Sequence, residues 1–188
     1  IASGDWSSDV CSSDLKRFAV LLTGLFSMGL LILSNCGTVP ITGRRQLNLV
    51  SDGEILAASA TQYRQFISQS HISNNGTYNA KVTQVGRRLA AATNTFLKQN
   101  GYESMLSSLS WEFNVVDSKQ VNAFCMPGGK IVVYTGLLNL VGNGAHSDDE
   151  LAAVMGHELS HALAKHANER ISNQMLVQAG GQLLGAAV

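Results

Sequence analysis

From Ser51 onward the apolar positions recur at helical spacing. In SDGEILAASATQYRQFISQ the residues Leu56, Ala60, Tyr63 and Ile67 share one face, and Ser51 with Glu54 three positions later has the spacing of a capping box. Asn74-Asn75-Gly76 reads as a turn, after which Val82, Val85, Leu89 and Phe96 predict a second amphipathic helix. The pattern then changes to short β-rich runs, WEFNVVD from Trp111 and KIVVYTGLL from Lys130. These are joined through VNAFCMPGG, in which Pro127-Gly128-Gly129 forces a turn. Helical spacing returns in SDDELAAVMGHELSHALAKHANER, which opens on Ser147 and Glu150 at capping-box spacing and runs on without proline. There is no internal repeat. The pattern predicts an α+β fold, mostly helical, with a small β-sheet beside this last helix.

The segment before Ser51 has a different character. Residues 1–15, IASGDWSSDVCSSDL, have no apolar period and are rich in Ser and Asp. They read as a non-native leader, with a native disordered tail as the alternative. Lys16-Arg17 is followed by an uncharged apolar run, residues 18–33, shorter than the roughly 20 residues that span a bilayer comfortably. That pattern reads as an export signal over residues 16–35. Leu33-Ser34-Asn35-Cys36 resembles the bacterial lipobox, apart from Asn35 where a small Gly or Ala is usual. It makes Cys36 the expected lipid attachment point and puts the domain outside the cytoplasm; an uncleaved signal anchor is the other reading. Residues 36–50 are a linker, and residues 51–188 hold the domain.

Charge narrows the partners. Lys plus Arg and Asp plus Glu number 13 each, so no positive excess draws in phosphate backbones, and nucleic acid is not an expected partner. Of the three cysteines, Cys11 lies in the leader and Cys36 carries lipid on this reading, which leaves Cys125 without a disulfide partner. Cys125 sits in an apolar run and is expected in the core rather than acting as a nucleophile.

Three of the five histidines fall between His157 and His166. Residues four apart on a helix differ by roughly 40° of azimuth and 6 Å of rise, so His157 and His161 project from one face, close enough to share one metal ion. Glu158 points roughly 100° around, beside the ion, where it can take a proton from water. Leu151, Ala152, Met155, Leu159, Ala162 and Leu163 form an apolar stripe that pins the helix from behind. Gly156 is explicable if another backbone passes close by. On a continuous helix His166 lies nearly on the far side and caps the helix end, and Glu169 lies roughly 18 Å along the axis from His157. The competing reading is a solvated helix face carrying unrelated histidines.

VNAFCMPGGKIVVYTGLL followed by ELAAVMGHELSHALAKH resembles the HtpX-like and CAAX-prenyl-protease-like zinc metallopeptidases of metallopeptidase family 48, over roughly residues 41–188, and most closely their bacterial periplasmic lipoprotein branch. The resemblance implies a zincin-like fold of the gluzincin type. One Zn2+ is then held by His157, His161 and a Glu on a later helix, with Glu158 as general base. It also implies substrate contact at Asn122, Ala123 and Phe124, on a strand bordering the cleft, although an interior strand fits an apolar run equally well. No acidic residue follows His161 except Glu169, so the third ligand is expected beyond Val188 and the reading frame is expected to be truncated. Protein or peptide substrates, attachment to the outer membrane facing the periplasm and an endopeptidase activity form the leading expectation. A non-catalytic periplasmic chaperone or assembly factor on the same fold is the alternative.

Overall fold

The computed structural model describes residues 18–20, 22–24, 36–39 and 41–185. The expected leader lies outside them. Residues 18–20 and 22–24 of the apolar run are helical, and among the described residues no helix is long and apolar enough to cross a membrane. Residues 1–37 and 38–188 form two separate compact units, and the second is the domain.

Two short strands come first, β1 (Cys36–Thr38) and β2 (Arg45–Leu47). Then follow α1 (Asp52–Gln69), α2 (Gly76–Gln99), a 3-10 segment (Glu103–Ser108), β3 (Glu112–Val116), β4 (Ala123–Met126), β5 (Lys130–Tyr134), α3 (Thr135–Val141), α4 (Ser147–Leu163) and α5 (His166–Gly185). The fold is α+β and mostly helical, as the pattern predicts.

The capping box at the start of α1 forms as read: Ser51 accepts from the Glu54 backbone N–H, and the Glu54 carboxylate accepts from the Ser51 N–H at 3.0 Å. The α2 face agrees at Val82 and Val85, but Leu97 is fully buried where Phe96 was expected and Phe96 is 44% exposed. Leu97 continues the buried row of Ala90 and Thr93 at helical spacing, and the 3-10 segment packs against α2.

β3, β5 and β4 lie in that order, β3 parallel to β5 and β4 antiparallel to it. The run expected to join two strands thus holds a strand of its own. The hairpin β4–β5 turns at Pro127-Gly128-Gly129, where Gly128 and Gly129 adopt φ of +94° and +80°, a region open to glycine. A Cβ on Gly129 would also stand 2.9 Å from the Trp111 ring. Ser59 of α1 donates to the Pro127 carbonyl at 2.9 Å and ties the turn down.

Strand alternation divides the core between the two faces of the sheet. Val115, Ala123, Ile131 and Val133 pack with Val82 and Val85 of α2 and Leu151 and Met155 of α4. Val116 and Val132 pack on the other side with Tyr63 of α1, joined by Phe66, Phe124 and Met126. The sheet is therefore covered by α1 on one face and by α2 and α4 on the other. Ile131, Val132 and Val133 in the central strand are completely inaccessible.

Candidate active site

The helix carrying the histidines is α4. Leu151 and Met155 are completely buried and Leu159 nearly so, which confirms the apolar stripe and leaves His157 and His161 on the exposed side. Its start differs from the sequence expectation. His146 occupies the N-cap without a side-chain hydrogen bond, and Ser147 is the first helical residue. Ser147 Oγ instead accepts from Lys81 Nζ of α2 at 2.6 Å, and the same ammonium donates to the Gly142 carbonyl at 2.8 Å. A cation from the neighbouring helix has taken the hydroxyl that a local capping box would use.

The helix end differs more. Instead of running on to Arg170, α4 stops at Leu163, and Lys165 adopts φ of +54° before α5 begins at His166. A lysine in the left-handed region is costly and needs support. Lys165 Nζ donates to Asp52 at 2.5 Å, and the buried Asn168 donates to the other oxygen of the same carboxylate at 2.8 Å, so both sides of the turn are tied to the start of α1. On α5, Glu169 pairs with Arg44, and Ser172 Oγ accepts from the Leu49 N–H at 2.9 Å. The 18 Å distance along one helix axis therefore does not apply to Glu169, and His166 is not on the far side. It returns to His161, with the two Nδ1 atoms 2.6 Å apart.

His157 Nε2 and His161 Nε2 face each other at 3.1 Å. Two nitrogens each about 2.0 to 2.1 Å from one tetrahedral ion stand roughly 3.3 Å apart, so the pair fits the first two positions of a zinc site. Among the described residues no group of three or more His, Cys, Asp or Glu side chains converges on one point. The two imidazoles therefore suit zinc, while a third protein ligand is not found among them.

Beside this pair, β4 packs along α4. The strand lies at the edge of the sheet, bonded to β5 alone among the described strands. Asn122, just before the strand, accepts from the Tyr134 N–H at 3.0 Å, which makes Asn122 and Tyr134 a hydrogen-bonded pair. Antiparallel pairs alternate, so Phe124 is bonded to Val132, whereas the N–H and C=O groups of Ala123 and Cys125 turn to the open edge. The side chain of Phe124 leaves the α4 side altogether, packing edge-on against Phe66 and Tyr134. Of Asn122, Ala123 and Phe124, Ala123 alone turns its backbone outward.

Cys125 lies on the α4 side and packs against the core. Burial, and secondarily the charge of Glu158, push its thiol up to about 12, so it stays protonated and is no nucleophile at neutral pH. His166 beside His161 is the neighbour that sequence reasoning missed. A helix break after Leu163 had no proline or glycine to announce it.

The model of Peptidase family M48 matches residues 77–188, which holds β4, α4 and both paired histidines. The chain belongs to peptidase family M48. It is 30% identical over 159 residues to the bovine "Metalloendopeptidase OMA1, mitochondrial", covering 81% of this chain and 28% of that protein. It is 49% identical over 78 residues to "Mitochondrial metalloendopeptidase OMA1" of Arabidopsis thaliana, 42% of this chain and 15% of that one. The "Beta-barrel assembly-enhancing protease" of Escherichia coli is 23% identical over 137 residues, 73% of this chain and 25% of its own length. The chain thus spans well under a third of each.

These relatives correct two expectations. The resemblance to family 48 stands, but the likeness runs more strongly to proteins named OMA1 than to the HtpX-like or bacterial lipoprotein branch. Placement in a bacterial outer membrane is overturned as well, since the more similar relatives, from plant, cattle and yeast, are named as mitochondrial. A positive start and an apolar run are shared by many targeting and anchoring segments, so the pattern alone does not specify a compartment.

Proposed function

We propose that this domain is the core of a zinc-dependent endopeptidase acting on protein or peptide substrates. The observation that carries the reading is the convergence of His157 Nε2 and His161 Nε2 at 3.1 Å on the outer side of a helix whose other side is fully buried. Together with a third ligand from outside the described residues, these two side chains hold the zinc. A zinc ion bound there supplies Lewis acidity and lowers the pKa of water. Glu158 accepts the proton of the attacking water and passes it to the departing amine. The outward groups of Ala123 and Cys125 pair with an extended substrate as an added strand and keep its scissile bond above α4.

The test is Glu158→Gln in the full-length protein. Zinc content should stay unchanged, because Glu158 is not a ligand, while peptide hydrolysis falls by about 10²- to 10⁴-fold, the usual worth of a general base. Full hydrolysis by the variant would remove Glu158 from this role, and a wild-type protein without bound zinc would end the metallopeptidase reading.

A further inference from the structure

We propose that His166 is a positioning residue for His161, a role that rests on the zinc reading of the His157–His161 pair. The two nitrogens of the His161 ring have different neighbours: Nε2 faces His157 Nε2 at 3.1 Å, and Nδ1 faces His166 Nδ1 at 2.6 Å. A neutral imidazole carries one proton. With that proton on Nδ1, His161 donates to His166 Nδ1 and leaves the Nε2 lone pair free for a metal. Ligating histidines are commonly held this way, with the outer N–H bonded to an acceptor that sets both the tautomer and the tilt of the ring. In this domain the acceptor is another imidazole, five positions along the chain.

His166 reaches that position because the chain breaks its helix in time. A continuous helix would carry His166 about 140° around from His161. The left-handed Lys165 ends α4 and restarts it as α5, with His166 as its first residue. Asp52 holds the turn from both sides through Lys165 and Asn168. The rings of His161 and His166 lie 4.9 Å apart and tilted by 52°, so their Nδ1 edges meet rather than their faces stacking. Asp52, Lys165 and His166 thus form a chain of support from the start of α1 to the metal-binding helix.

The atom used selects the test. Nδ1 of histidine is bonded to Cγ, as are the amide atoms of asparagine, whereas the amide of glutamine lies one carbon further, near the position of Nε2. His166→Asn can therefore keep the contact, and His166→Gln cannot, although both side chains end in the same amide. In the full-length protein, zinc affinity is measured by competition with a chelating indicator, with thermal midpoints as the folding control. His166→Ala and His166→Gln should each bind zinc about 10- to 100-fold more weakly, while His166→Asn stays within about threefold of wild type. The absorption bands of the cobalt-substituted protein should shift in the Ala and Gln variants and not in the Asn variant. Equal affinity of wild type and His166→Ala would overturn the proposal, as would equal losses for Asn and Gln. Failure of the wild type to bind zinc would instead refute the metal-site reading itself.

Discussion

Gly156 stands directly before His157, inside the helix that carries the site, and the structure gives a definite answer to what replacing it would do. A Cβ built there meets a single neighbour, Leu89 Cδ2, at 3.8 Å, an ordinary van der Waals contact. Glycine in a helix interior is about 0.8 to 1.0 kcal/mol less favourable than alanine. Gly156→Ala should therefore stabilise the domain by about 0.5 to 1 kcal/mol, a rise of roughly 1 to 4 °C in melting temperature for a domain of this size. Urea unfolding should show a higher midpoint with an unchanged slope. Gly86→Ala is the contrast, on a helix of the same core. Its Cβ would lie 2.4 Å from Phe113 Cδ1, and that ring is backed by Trp111 in a stacked pair at 6.5 Å between centroids. Overpacking of this kind costs about 1 to 3 kcal/mol, more than the helical gain. A loss of more than about 0.5 kcal/mol in Gly156→Ala would refute the reasoning, since it would require close packing that the structure does not contain. The sequence expectation of a backbone passing near Gly156 is thereby corrected. The glycine that does admit a backbone is Gly136, where a Cβ would sit 2.3 Å from the Gln120 carbonyl oxygen.

Two further outcomes follow from β4. Ala123→Pro removes an outward N–H at the first position of the strand, where proline is tolerated; kcat/KM should fall by about 3- to 10-fold, the worth of one hydrogen bond, with zinc content intact. Unchanged cleavage by the folded variant would argue against substrate pairing at that residue. Cys125 titrates at about 12 in the fold against 9.0 in the free thiol, so the protonated form is favoured by folding. Its contribution is fully present below about pH 9 and is lost as the pH climbs toward 12, with a slope of at most about 1.4 kcal/mol per pH unit. Tyr63, raised from 10.0 to about 12 by burial, adds to the loss above pH 10. Between pH 9 and 10 the loss belongs mainly to Cys125, and Cys125→Ala should flatten unfolding free energy in that interval; an equally steep decline in the variant would exclude the thiol as its source.

What could be read from the sequence alone was whatever depends on short-range periodicity. The α1 capping box, the apolar stripe of Leu151, Met155 and Leu159 and the pairing of His157 with His161 are set by residues three or four apart, whose relative placement a helix determines by itself. The metallopeptidase family was legible from two motifs in order, VNAFCMPGGKIVVYTGLL and ELAAVMGHELSHALAKH, the second of which places its paired histidines by helical spacing. Tertiary structure decided the rest. Lys81 reaches across from α2 to take the Ser147 hydroxyl, and Asp52 reaches across from α1 to hold the Lys165 turn that brings His166 back to His161. Whether Ala123 sits at an edge depended on a strand order that an apolar run does not encode. Each of these rests on a partner dozens of residues away, whose free energy outweighs a local preference of about 1 kcal/mol and leaves no trace in the spacing of nearby residues.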